Sequence, residues 1–217
     1  MSRAQYDEEL EAIRQNLLRM GETTELLLRE ALNVVTEPNA GLLEKASELE
    51  AQTDHHHRLI HDQCLTLITR RAPVARDARL VTGVLDAIVD LELIGDYAYE
   101  IVTLTYGMKA RPPMQILAQM ARIGAKVEDT VKASIENWRD GAAPVSARHD
   151  EAAIRSECGA LYEKLSQLTS APGDASPYVE LMLVTRHLER ISRHAAAVAD
   201  QALSAAPMEQ LREATQA

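Results

Sequence analysis

The chain has 217 residues, 46% hydrophobic and 26% charged, a composition that supports a sizeable buried core in one or two domains rather than a disordered tail. Lysines and arginines number 23 against 33 aspartates and glutamates, a formal charge of −10 that repels phosphate backbones and anionic lipid surfaces and argues against nucleic-acid binding and membrane docking. Aromatics are only 3%, with no phenylalanine, so base-stacking platforms are scarce and the core must be aliphatic.

Apolar residues recur at helical spacing almost throughout. Tyr6, Leu10, Ile13, Leu17, Leu28 and Val35 mark a first long helix, expected to end in the turn Glu37-Pro38-Asn39-Ala40-Gly41. Leu42, Leu49, Ile60, Cys64 and Leu67 mark a second, stopping near Arg70-Arg71-Ala72-Pro73, and Leu80, Val84, Leu91, Ile94 and Ile101 a third, ending before Gly107 and Pro112-Pro113. The pattern then restarts. Met120, Val127, Val131 and Trp138 give a fourth helix, ending at Asp140-Gly141. Ile154, Cys158, Leu161 and Leu165 give a fifth, closed by Ser170 to Asp174. Pro177 suits the first turn of a sixth, which carries Leu181, Leu188, Ile191 and Val198. The tail after Pro207 is either helical or frayed, and alternation flanked by hairpin turns is absent.

Six helices fall into two triplets. Leu91-Glu92-Leu93-Ile94-Gly95-Asp96-Tyr97-Ala98 is echoed by Leu188-Glu189-Arg190-Ile191-Ser192-Arg193-His194-Ala195, with Leu-Glu, Ile and Ala at identical offsets. The expected architecture is all-α: two tandem antiparallel three-helix bundles packed side by side, the first over 1–109 and the second over 110–217. No leader or membrane span is read, and Cys64 and Cys158 suit a reducing compartment, so the expected location is the cytoplasm, with no direct membrane insertion.

Residues four apart on a helix project together. Glu92, Asp96 and Glu100 share one stripe of the third helix. Glu50 and Asp54 share one on the second, continued by His57 and His61. If these helices are antiparallel neighbours, the acids form a cluster of oxygen ligands suited to hard cations, with iron or zinc admitted if a histidine joins. A single such acid pair is more often a solvated helix face. The run His55-His56-His57 is more often surface than ligand set, with His56 on the apolar stripe. Nucleophile elbows, phosphate loops and dinucleotide turns are absent, so catalysis is not expected. Two other classes fit the same residues. One is a metal-dependent helical-bundle enzyme using Glu50, Asp54, His57, Glu92 and Asp96, which needs an enclosed pocket beside the carboxylates. The other is a structural spacer whose acidic stripes bind nothing.

The segment Arg71-Ala72-Pro73-Val74-Ala75-Arg76-Asp77-Ala78-Arg79-Leu80-Val81, leading into Asp90-Leu91-Glu92-Leu93-Ile94-Gly95-Asp96, resembles the signature of the PhoU family, which runs Pro-Val-Ala-x-Asp-Leu-Arg-x-Ile and then Leu-Glu-Arg-Ile-Gly-Asp. The resemblance implies a fold of two three-helix bundles and a cytoplasmic, usually dimeric regulator without catalytic turnover. It implies partners in the ATPase subunit of the phosphate ABC transporter and the phosphate sensor histidine kinase, with the starvation response held off in adequate phosphate. It also implies metal ions (iron, zinc or magnesium) on Glu/Asp-x-x-x-Asp motifs, one set per bundle. The first set maps onto Glu50, Asp54, Glu92 and Asp96, with Glu100 as a possible extra ligand where the family commonly has Asn. The second set departs from the pattern. Arg193 stands for the expected Asp, and an alignment on Leu161-Tyr162 puts Arg155 and Gly159 where carboxylates usually stand. A guanidinium repels a cation, so the second bundle is expected to lack the cluster, with Arg193 pairing with Glu189.

Overall fold

The structure, a computed structural model, describes the backbone of residues 3–70, 75–140 and 145–205 and the side chains of 4–70, 77–140 and 150–205. Arg71–Val74 of the family-like segment and the tail after Pro207 lie outside the described residues. The described residues form six helices and no strand: α1 (Arg3–Thr36), α2 (Ala40–Arg70), α3 (Ala75–Tyr106), α4 (Met114–Asp140), α5 (Val145–Thr169) and α6 (Ser176–Ala205). This is the expected all-α architecture. None of these helices is long and apolar enough to cross a membrane.

Several helix ends among the described residues have a local cause. Pro38 cannot continue α1. The Asn39 side chain then accepts the Gly41 N–H at 2.8 Å, so the capped helix α2 starts at Ala40, inside the turn expected from the sequence. Pro113 leads into α4, its carbonyl accepting the Ile116 N–H at 2.9 Å. Gly173 takes a positive φ of 135° in the last loop. Asp174 there accepts the Ser176 N–H at 2.9 Å, a bond that holds its carboxyl below the usual range and opens α6.

Helices α1, α2 and α3 pack on one another, as do α4, α5 and α6. Pairs α3–α6 and α1–α4 join the triplets. The order α2–α3–α6–α5 therefore forms one layer, with α1 and α4 side by side beneath it. Both joining pairs run antiparallel and are reciprocal. Tyr97 stacks on His187 at 5.5 Å while Asp90 meets His194 at 2.7 Å. These two contacts exchange under the offset that takes Leu91 to Leu188. Likewise a Cβ on Gly21 stands 2.9 Å from Ile135, and one on Gly124 stands 2.5 Å from Leu32. These exchange under the offset that takes Gly21 to Gly124. Such reciprocity defines an internal two-fold axis through both crossings, perpendicular to the helices. The two offsets differ by six residues, the difference between α2 at 31 and α5 at 25.

The aliphatic core is continuous across both triplets. Trp138 marks its junction. Its Nε1–H donates to the Val198 carbonyl of α6 at 3.0 Å, its ring abuts Gly83 of α3, and its own carbonyl accepts from Arg14 of α1 at 2.9 Å. Cys64 and Cys158 are fully buried, which pushes both thiols up to about 12 and leaves them inert packing groups.

Candidate metal centre and its arginine counterpart

On the α2–α3 seam, Gly95 of α3 lies against Thr53 of α2 and Leu27 of α1. Asp54 and Asp96, one residue further round each helix, therefore emerge on the side of the seam away from α1. Glu50 lies a turn before Asp54, and one oxygen each from Glu50, Asp54 and Asp96 fall within 4.8 Å of one another. Partial burial raises the Glu50 carboxyl above its ordinary range, with Asp54 and Asp96 raising it further. Burial also raises Asp96, followed by the charges of Glu92, Asp54 and Glu100, with His57 opposing. Partly desolvated carboxylates this close favour either a proton or a shared cation. Only Arg58, 3.5 Å from Asp54, gives the trio a described ion-pair partner.

The other two acids singled out in the sequence are directed elsewhere. Glu92 meets His57 Nδ1 at 3.0 Å, and Glu100 reaches across to His187 Nε2 of α6 at 3.2 Å. His61 turns to its neighbour Asp62 at 3.7 Å. His56 is half-buried as its place on the apolar stripe implied, and that burial lowers its pKa. The structure thus brings together Glu50, Asp54 and Asp96, and holds Glu92 and Glu100 on histidines.

The α5–α6 seam has the opposite sign. Ile154 and Ser192 are buried, so Arg155 and Arg193, next round each helix, emerge on the side away from α4. Glu189, nearly buried, sits between Arg186 at 2.7 Å and Arg193 at 3.5 Å, and Arg155 pairs with Glu151 at 3.6 Å. Arg186 also lies 4.6 Å over the Tyr162 ring. The Glu189 carboxylate raises the Arg186 pKa, chiefly through their hydrogen bond. The guanidinium of Arg193 thus stands beside Glu189 in the place that Asp96 takes beside Glu92.

One polar network was not legible in the sequence. Asp90 accepts the Gln201 amide at 2.6 Å as well as facing His194. Tyr97 lies between His187 and His194 with Arg190 5.3 Å above its ring, and burial lowers the His187 pKa. These partners stand about a hundred residues apart, and no local spacing announces them.

A six-helix layer-on-pair fold with an internal two-fold, an acidic seam on one half and an arginine seam on the other, defines a class: duplicated three-helix-bundle proteins. Comparison with known proteins narrows it. The PhoU domain family model matches residues 17–105, most of the first triplet. A phosphate-specific transport system accessory protein PhoU homolog from Synechocystis sp. is 29% identical over 202 residues, covering 92% of this chain and 90% of that protein. Its counterpart from Pseudomonas aeruginosa is 27% identical over 201 residues, covering 90% and 83%. The crystal structure of PhoU from Pseudomonas aeruginosa superposes with a TM-score of 0.85 at 24% identity, covering 96% of this chain and 99% of that one. The phosphate transport system regulatory protein PhoU from Streptococcus pneumoniae gives 0.79 at 17% identity, covering 92% and 96%. The chain is thus similar to PhoU proteins along nearly its whole length and shares their fold, with the PhoU domain itself matched over residues 17–105.

Proposed function

We propose that this protein is a regulatory accessory component of phosphate uptake. Its near end-to-end relation to phosphate-specific transport system accessory proteins carries this reading. In this account it acts in the cytoplasm without catalytic turnover and self-associates as a homodimer. It presents helical surfaces to the ATPase subunit of the phosphate ABC transporter and to the sensor histidine kinase, and keeps starvation genes off when phosphate is plentiful. Deleting the gene under phosphate-rich growth tests it directly. Starvation-response phosphatase activity is expected to rise several-fold, and activity that stays low contradicts the assignment.

Glu50, Asp54 and Asp96 are the proposed holders of a cation. Three carboxylate oxygens suit a hard ion, magnesium or an iron-type ion ahead of zinc, because His57 is engaged with Glu92. Bound there, the ion neutralises mutually repelling charge and ties α2 to α3. In the second triplet Arg193 and Arg155 occupy that electrostatic role with fixed guanidinium groups. The metal-dependent enzyme considered from the sequence is disfavoured beside this reading, because the relatives that match nearly the whole chain are transport-system accessory proteins.

A further inference from the structure

The Arg186–Tyr162 contact of 4.6 Å fixes the register of antiparallel α5 and α6. Counting along the two helices in opposite directions puts Gly159 level with Glu189, and Arg155 level with Arg193. Arg155 and Tyr162 on α5, with Arg193 and Arg186 on α6, thus frame a patch two helical turns long, about 10 Å. Nearly buried Glu189 is its floor. It takes Arg186 on Oε2 at 2.7 Å and Arg193 on Oε1 at 3.5 Å, so both guanidinium heads converge on one carboxylate from opposite ends. Gly159 stands between Arg155 and Tyr162 on their stripe of α5, and nothing lies within 4 Å of its Cβ position. The patch is therefore open to solvent above its floor, with a bare turn of backbone where a side chain would stand.

Charge, donors and size each point to one kind of ligand. Arg155, Arg186 and Arg193 face two carboxylates, Glu151 and Glu189, which leaves one positive charge in excess. Arg190, on the same exposed stripe of α6, leans over the Tyr97 ring at 5.3 Å and adds to the field. A guanidinium has five N–H donors. Arg186 and Arg193 each give Glu189 one, Arg155 stands 3.6 Å from Glu151, and all three side chains stay 55–60% exposed, so donors remain for a ligand. Glu189 orients two of the forks in advance, which lowers the ordering cost of binding. Each fork matches the spacing of two phosphate oxygens. A polyanion or an anionic membrane meets the rest of a chain of formal charge −10 and is repelled, whereas a small anion meets only the patch.

We propose that the α5–α6 patch is an oxyanion site for a phosphate group, held by Arg155, Arg186 and Arg193 above Gly159. The inference rests on the phosphate-uptake reading above and deepens it. On the seam related to the cation site by the internal two-fold, the protein carries a receptor for the signal itself, met either as free inorganic phosphate or as the phosphoryl group of a modified partner. Cation and anion then bind one chain at two separate seams.

Phosphorus-31 NMR titration of the full-length protein tests the proposal, with inorganic phosphate and O-phosphoserine as separate probes at matched ionic strength. Chelator in the buffer ensures that no bound cation recruits the anion. One saturable site per chain is expected. Saturation by inorganic phosphate assigns the free ion, and saturation by phosphoserine alone assigns a phosphorylated partner. Arg193→Ala and Gly159→Glu, each checked for helicity, are each expected to raise the dissociation constant about tenfold or more. The second variant places a carboxylate in open space, so it blocks the patch without disturbing the core. Asp96→Asn is expected to bind like wild type. Saturation by neither probe, wild-type affinity in either patch variant, or loss of binding in Asp96→Asn would each overturn the site. A chain that binds neither probe, yet whose deletion raises phosphatase activity, sinks the site and leaves the regulatory reading standing.

Discussion

At the scale of single residues, Asp96 shows how the acidic seam trades stability for binding. Its carboxyl is raised above the usual range first by burial and then by Glu92 and Asp54, and Glu50 is raised by burial and by its neighbours. An acid whose pKa is higher in the folded chain than in the unfolded one holds its proton longer when folded. Metal-free stability therefore falls as pH rises from the ordinary carboxylate range through the raised native value, and is level above it. Asp96→Asn removes one member of the repelling set. It is expected to raise the metal-free melting temperature near neutral pH by about 1–2 °C, equivalent to about 0.5 kcal/mol, and to flatten the decline with pH. Added divalent cation is expected to raise the wild-type melting temperature and leave the variant unmoved. Thermal melts across pH, with and without cation, check both statements. A variant less stable than wild type in chelator contradicts the account of Asp96 as a strained, charge-repelled side chain.

Helices α1 and α4 illustrate what an element asks of a single position. They approach closely enough that a Cβ on Gly124 stands 2.5 Å from Leu32, whereas nothing lies within 4 Å of the Cβ position on Gly159 in α5. Gly124→Ala is therefore expected to leave stability within about 1 kcal/mol of wild type, because the half-buried Leu32 must swing its Cδ methyl aside and that cost offsets the gain in helix propensity. Gly159→Ala is expected to stabilise by about 0.5–1 kcal/mol, because it restores helix propensity without a clash. Denaturant titrations of the two variants side by side check the contrast, and equal shifts would remove the close crossing as its cause. Nothing in the local sequence around either glycine separates them. Helix number, helix ends and duplication were legible, because 3.6-residue periodicity, Pro38, Pro113 and the Leu-Glu-x-Ile echo are local signals. The start of α2 was displaced because Asn39 caps before Gly41. The pairing of Asp90 with His194 and the diversion of Glu100 to His187 depend on where α6 comes to rest against α3. For the same reason the sequence set only Glu100 apart among the five acids on two stripes, whereas three converge and both Glu92 and Glu100 are held by histidines.

At the scale of the whole molecule, the two triplets are repeats that share one core. Trp138, the single tryptophan of the chain, is wedged between them with contacts to α3 and α6. Separating the triplets moves that ring into water as surely as unfolding its own helix does. Denaturant unfolding followed by tryptophan fluorescence and by far-ultraviolet circular dichroism is therefore expected to give one coincident transition. Fluorescence that changes ahead of helicity would mean that the triplets part before they melt. The fold is thus symmetric, while the chemistry laid on it is not: carboxylates meet on one seam and guanidinium groups stand on the other. Metal content per chain tests that asymmetry most directly, measured on purified protein reconstituted with magnesium or ferrous iron and then desalted. About one bound ion or cluster per wild-type chain is expected, with loss in both Asp54→Asn and Asp96→Asn and no change in Glu189→Gln. Equal metal in all four proteins, or loss on changing Glu189 alone, would contradict the account.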